Sequence, residues 1–243
     1  MILLNEKICH ITIPKTACTT VVQHLYAKHP RSNVWPENEL VFQRIKNENF
    51  TYWKNVGHAT LKESIIQQPI AKHCYKTCTV RNPYDRLVSL YYHCYRAVFD
   101  SQLRYNQQFW INNNYTTCLK SFESFVEFYH NEFYPSLQED EQLRQIFATN
   151  AFGNPCEDYI SLFLPQSAFV FDDDDKMTID EVFRFEKMEK VLDFYKIPTH
   201  KGHQNKNPIK PKDRHYRDYY NKHTKDLVKI FWEKDLDLFR YTF

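Results

Sequence analysis

Two short stretches of the sequence hold residues whose types and spacing suit binding and transfer of an anionic group. The first is ITIPKTACTT, Ile11 to Thr20. A β-branched run ends at Pro14, and Lys15, Thr16, Ala17, Cys18, Thr19 and Thr20 follow. If the run is a strand and Thr19 or Thr20 opens a helix, the turn sits at a helix N-terminus. Unpaired N–H groups and a partial positive charge there attract an anion. Lys15 adds a full charge, and the three threonines add hydroxyl donors. Ala17 and Cys18 are small enough to let a phosphate approach the backbone. This is not a Walker A loop, whose lysine comes after its glycines. With no glycine to supply a positive φ, the loop is predicted to be short. Taken alone, the stretch also fits an ordinary strand-to-helix turn with a surface lysine.

The second stretch is TVRNPYDRLVSLYY, Thr79 to Tyr92. Arg81 is placed at a strand end. Asn82 suits an N-cap, Pro83 the first helical position and Asp85 the first turn. Leu87, Leu90, Tyr91 and Cys94 then recur at helical spacing and predict a buried face. Ser89 lies two turns into this helix. An arginine can bind a terminal phosphate through two parallel hydrogen bonds, and a hydroxyl can support it. A structural Arg81–Asp85 pair is the alternative. Two such edges in one chain suggest a ligand with two separated phosphate groups.

The elements that must carry these residues follow from periodicity. Strands are predicted over 7–13, 76–81, 168–171 and 181–185. Helices are predicted over 19–29, 83–99, 122–130, 139–149, 186–195 and 224–235. Strands alternating with helices predict an α/β fold, with layers around a mainly parallel central sheet flanked by helices. A single domain over 1–243 is expected. The run FDDDDKMT, 171–178, is read as a solvated hairpin turn between the two late strands, with a metal site as the sharper alternative that lacks nearby partner ligands. The stretch THKGHQNKNPIKPKDR, 199–214, is polar, basic and proline-bearing, and is expected to be an exposed loop.

Composition bounds the remaining classes. The chain has 243 residues, 42% of them hydrophobic and 16% aromatic, which predicts a full core and not a disordered chain. A net charge of +2 is too mild to argue for nucleic acid. Only three glycines are present, so turns are expected to use Asn, Asp and Pro. The seven cysteines are irregularly spaced, and Cys74 and Cys78 have no second pair at zinc-ligand distance. They are read as buried thiols. No run of eighteen apolar residues predicts a membrane span, and residues 1–15 do not read as a signal peptide. A soluble cytoplasmic protein is expected.

With both motifs in view, the sequence resembles the carbohydrate sulfotransferases. PKTACTT resembles the 5′-phosphosulfate loop of that superfamily, and lies between the loops of uronosyl 2-O-sulfotransferases and chondroitin 4-O-sulfotransferases. RNPYDRLVS resembles its 3′-phosphate motif, an arginine followed eight positions later by a serine. VGHATLKE, LPQSAFVF with the RFE segment after it, and the closing RYTF resemble further family segments, so the likeness covers almost the whole chain. The resemblance implies a P-loop-like three-layer domain and the cofactor 3′-phosphoadenosine 5′-phosphosulfate (PAPS), released as 3′,5′-ADP, with no metal. It also implies sulfuryl transfer to a carbohydrate hydroxyl. Lys15 would contact the 5′-phosphosulfate, Thr16 to Thr20 would supply N–H and hydroxyl contacts, and Arg81 and Ser89 would bind the 3′-phosphate.

Such transfer needs in-line geometry and stabilisation of the leaving phosphate, the role expected of Lys15. A sugar hydroxyl benefits from a general base, worth roughly 10²–10⁴-fold. His58 matches the family's catalytic histidine and is the expected base; Glu63 and His93 are the other candidates. Arg96, Arg104, Lys206 and Arg214 are candidates for the acceptor groove, with an anionic polysaccharide among the acceptors. A P-loop nucleotide kinase-like transferase and a non-catalytic glycan-binding module on the same fold are the competing readings. The missing N-terminal anchor points to a microbial or viral cytoplasmic protein, or to the Golgi lumen if an anchor lies outside this sequence.

Overall fold

A computed structural model describes residues 2–4, 7–18, 20–21, 44–46, 50–53, 60–67, 69–99, 115–135, 162–172, 174–197 and 208–243. The strands are β1 (Ile2–Leu4), β2 (Ile8–Ile11), β3 (Arg44–Lys46), β4 (Phe50–Trp53), β5 (Tyr75–Val80) and β6 (Glu181–Arg184). The α-helices are α1 (Leu61–Gln67), α2 (Pro83–Phe99), α3 (Phe122–Phe128), α4 (Met188–Phe194), α5 (Lys222–Phe231) and α6 (Glu233–Leu238). The chain forms two compact units. One holds Met1–Arg81 and Gln166–Lys206, the other Asn82–Pro165 and Asn207–Phe243.

The first unit contains a six-stranded sheet in the order β3-β4-β1-β2-β5-β6. β2, β5 and β6 run parallel, so the predicted α/β fold with its parallel strands is present. Three antiparallel strands, β1, β4 and β3, extend the sheet beyond β2 and were not legible as strands. Register sets Ile11 beside Cys78 and Val80 beside Arg184. One sheet face is covered by a core of Val21, Phe183, Val191, Leu192, Tyr195 and Ile197, with Ile8 and Met188 packed against it. Burying each such side chain contributes about 1.5–3 kcal/mol.

His10 lies on this face. Its Nδ1 is 2.8 Å from Thr77 Oγ1 and 3.0 Å from the Tyr195 hydroxyl, and the two hydroxyls are 2.7 Å apart. Burial lowers the imidazole pKa to about 3 and keeps the ring neutral. Burial likewise raises the Tyr195 phenol above its ordinary value. The cluster ties β2, β5 and the end of α4 together beneath the strand that feeds the first loop.

The strand predicted over 168–171 is not formed. Gln166–Phe169 is a 3₁₀ turn, and only Phe171 is bridged, to Met177. The aspartate run between them is a hairpin turn, as predicted, but it closes this bridge and not two full strands. Asp172 Oδ1 accepts the N–H groups of Asp174 and Lys176, each at 3.0 Å. These bonds lower the Asp172 pKa.

The second unit is helical among its described residues. A buried cluster sets the Tyr129 hydroxyl between the Phe163 carbonyl, which it donates to, and Trp232 Nε1, which donates to it at 3.1 Å. Burial raises that phenol's pKa. Arg86, fully buried, donates through Nη2 to Leu162 O at 3.2 Å and lies 5.1 Å from the Trp232 ring centroid. The helix predicted over 122–130 passes at Tyr129–Phe133 into a π-helical turn. The helix predicted over 224–235 divides at Trp232 into α5 and α6. The predicted helix over 139–149 lies outside the described residues.

Turn chemistry meets the shortage of glycine in two ways. Side chains cap helices: Asn221 Oδ1 accepts from Thr224 N at 2.8 Å, and Ser121 Oγ from Ser124 N at 3.0 Å. The second way was not expected. Lys15, Ala17, Asp175, Lys196 and Arg240 all take a positive φ. At Lys196 and Arg240 the reason is local. Ile197 N donates to Leu192 O at 2.7 Å and Tyr241 N to Leu236 O at 2.9 Å, the bonds that end a helix in a left-handed residue.

Six cysteines, Cys9, Cys18, Cys74, Cys78, Cys94 and Cys118, are buried thiols, as predicted. Burial raises Cys9 to about 12. No helix among the described residues is long and apolar enough to cross a membrane.

Candidate active site

β2, β5 and β6 are parallel, so the residues after their last positions stand at one edge of the sheet. Those residues are the ITIPKTACTT loop, Arg81 and Phe185. Ligands in open α/β sheets bind outside the carboxyl ends of the strands.

After β2 the chain runs without regular structure through Thr12 and Ile13, turns over Pro14 to Ala17, and is helical at Cys18, Thr20 and Val21. Val21 N donates to Ala17 O at 3.2 Å, which makes Ala17 the helix's flanking residue. Thr16 is buried, and its Oγ1 donates to Ile13 O at 2.7 Å. That bond fastens the loop across its base and directs the hydroxyl inward, so what Thr16 offers an anion is its backbone N–H. Lys15 has φ 66° and Ala17 φ 69°, while Thr16 between them does not share that region. Alternating handedness of this kind turns successive N–H groups towards one concavity, an anion-binding nest. The expectation of a short loop rested on there being no glycine to supply a positive φ. The loop takes it regardless, at roughly 1–2 kcal/mol per residue. Thr20 is buried and Lys15 half-buried. Thr19 lies outside the described residues.

Arg81 follows β5, one residue past the last rung of the sheet. Its Nη1 donates to Lys15 O at 3.1 Å, and its guanidinium carbon lies 4.1 Å from the Phe185 ring centroid. Its backbone is held by Gln166: Arg81 N donates to Gln166 Oε1 and Gln166 Nε2 donates to Arg81 O, both at 2.8 Å. The structure therefore brings Lys15 and Arg81 together. Gln166 and Phe185 were missed as site residues. Their sequence signal was only position, beside a proline in LPQS and at the close of EVFRF, and neither type announces anion chemistry.

The remainder of the second motif belongs to the other unit. Asn82 Oδ1 accepts from Tyr84 N at 3.0 Å and caps α2, as predicted, and Pro83 is the first helical residue. Asn82 Nδ2 donates to Thr242 O at 2.9 Å, which fastens the closing RYTF segment to the helix start. The predicted face of Leu87, Leu90, Tyr91 and Cys94 is buried, while Ser89 and His93 are half-buried. Asp85 pairs with Lys210 at 3.3 Å. Arg214 lies 3.9 Å over the Tyr219 ring and donates to Asp218 O at 2.7 Å. Arg96 stands in the last turn of α2.

His58, Arg104 and Lys206 lie outside the described residues. Glu63 stands on α1. Among the described residues no group of three or more His, Cys, Asp or Glu is placed to hold a metal.

Fold and site thus define an α/β protein whose parallel strands end in an edge that brings together a lysine loop and an arginine. The profile of the Sulfotransferase family matches residues 2–242, and the chain belongs to that family. Its chemistry is the transfer of a sulfuryl group. No curated protein and no solved structure gives a match.

Proposed function

We propose that the chain is a PAPS-dependent carbohydrate sulfotransferase, acting as one functional domain over 1–243. The observation that carries this reading is the bond from Arg81 to the Lys15 carbonyl, which joins the cationic residues of both phosphate motifs in one cluster. That cluster offers an anion backbone N–H groups, an ammonium and a guanidinium, a donor set that fits the 5′-phosphosulfate and the 3′-phosphate of PAPS. The bound cofactor would supply an activated sulfuryl group with a phosphate leaving group.

Lys15 and the N–H groups of Thr16 to Thr20 would hold the phosphosulfate, with Lys15 stabilising charge that grows on the leaving oxygen. Lysine suits this role because its charge is compact and its stem can follow the oxygen. Arg81 would bind the 3′-phosphate through its planar fork. Ser89 is assigned to the same phosphate by the sequence motif alone. His58 is the proposed base that takes the proton from the acceptor hydroxyl, again on the motif.

The test is an acceptor screen with labelled PAPS against desulfated glycosaminoglycans and neutral glycans, with linkage analysis of the product. Transfer to a glycan hydroxyl, lost in His58→Ala, is expected. Transfer to phenols or peptide tyrosines but to no glycan would sink the acceptor class. Thermal stabilisation by Mg-ATP but not by 3′,5′-ADP would sink the cofactor. A tight ligand should add about 2.7 kcal/mol at a hundredfold excess over its Kd.

A further inference from the structure

The end of β5 poses a local problem. β5 pairs with β2 as far as Cys78 and with β6 as far as Val80. Arg81 is the next residue, one past the last paired rung, and is buried, so its backbone N–H and C=O need partners. A glutamine amide carries one acceptor and two donors in one plane. The Gln166 amide meets both backbone groups of Arg81 at 2.8 Å, as a strand residue would, and is itself fully buried.

We infer that Gln166 is a positioning residue for anion binding: by standing in for a missing strand at the end of β5, its amide fixes where the Arg81 guanidinium is presented. Two bonds to one residue's backbone hold its position along the strand and its rotation about the strand axis. With both fixed, the side chain leaves at a set angle. It is then supported from two sides, by the Phe185 ring 4.1 Å away and by Lys15 O at 3.1 Å. The side-chain length matters. Asparagine is one methylene shorter, glutamate loses the donor that meets Arg81 O, and methionine fills the space but can make neither bond.

The competing explanation is that Gln166 merely fastens the 166–169 turn to the sheet. The two differ in what a substitution should change. This inference rests on the proposed 3′-phosphate role of Arg81, so the experiment compares two ligands that differ only in that phosphate, 3′,5′-ADP and 5′-AMP. Their affinities are measured by calorimetry for the full chain, for Gln166→Met, for Arg81→Ala and for the double variant.

Gln166→Met is expected to weaken 3′,5′-ADP by about tenfold and 5′-AMP by less than about twofold. KM for PAPS should rise with little change in kcat. In the Arg81→Ala background the same substitution should change neither affinity, because the group it positions is gone. If Gln166→Met does not fold, Gln166→Glu, which keeps one of the two bonds, should show a smaller loss of the same kind.

Equal losses for both ligands would overturn the inference, as would additive losses in the double variant while Arg81→Ala alone abolishes the preference for 3′,5′-ADP. In those cases the cofactor reading stands. If Arg81→Ala leaves that preference intact, the assignment of Arg81 fails and the inference falls with it.

Discussion

The loop after β2 and the arginine after β5 stand at the ends of two neighbouring parallel strands, yet they are built on opposite plans. The first is a backbone device. Its threonine hydroxyl is turned inward to Ile13 O, and two residues other than glycine hold a positive φ at Lys15 and Ala17. On the proposed reading, the N–H groups that result are what the anion meets. The second is a side-chain device. Arg81 leaves a relaxed strand, its backbone is paired by Gln166, and its charge rests on Phe185. Strain is stored in the first and almost none in the second. A backbone nest tolerates changes of side chain that keep its dihedral angles, whereas a presented guanidinium depends on every group that holds it.

The largest effect should fall where the two plans meet in Lys15, which combines a strained backbone with a charged side chain. Lys15→Ala removes the charge and keeps the backbone. If Lys15 stabilises the leaving phosphate, kcat should fall roughly 10²–10³-fold, the range for losing one preorganised donor. Single-turnover transfer from labelled PAPS gives the measurement. A change confined to KM would mean that the loop binds through its backbone alone.

Arg81→Ala should cost the affinity for 3′,5′-ADP about 1.5–3 kcal/mol, the range for hydrogen bonds to charged groups. Arg81→Lys keeps the charge but loses the fork and much of the contact with Phe185, so it should recover only part of that loss. Full recovery would show that charge, and not presentation, is what the second device supplies, and the contrast with the first would weaken.

These plans were unequally legible in the sequence. Asn82, Pro83 and Asp85 name a helix start by residue type, and α2 begins there. Lys15 and Arg81 declare themselves by charge. The conformation of the first loop was hidden, because residue types alone say that alanine and lysine avoid positive φ, and tertiary packing overrode that preference. Gln166 was hidden for another reason. A buried amide pairing with a backbone 85 positions away is a long-range fact that no local period records. The short edge strands β1, β3 and β4 were hidden likewise, since three or four residues cannot display a period. The parallel strands β2 and β5 were legible because they are β-branched and lead directly into phosphate motifs.

Thr16→Val tests whether the inward hydroxyl holds the first loop. Valine matches threonine in shape but leaves the buried Ile13 carbonyl without this donor. Stability should fall by about 1–3 kcal/mol, read from denaturant midpoints at unchanged slope. Loss of 3′,5′-ADP binding with no loss of stability would mean that Thr16 faces the ligand instead, and the loop would resemble the side-chain device more than the contrast allows.

The smallest loss should come from Ala17→Gly, and the direction of the change is the informative result. At φ 69° the alanine Cβ raises the energy of the folded state, and glycine removes that term, roughly 1–2 kcal/mol. Glycine also gives the unfolded chain more freedom, which opposes folding by about 0.4–1 kcal/mol. The two partly cancel, so glycine should run from neutral to about 1.5 kcal/mol stabilising. Ala17→Val should behave differently, because a β-branched residue is strongly disfavoured at positive φ. Glycine neutral or stabilising with valine clearly destabilised is the signature of a left-handed residue at position 17. If glycine instead destabilised the protein by more than about 1 kcal/mol, as it does inside a regular helix, Ala17 would belong to the helix interior and the strain assigned to the first loop would not exist.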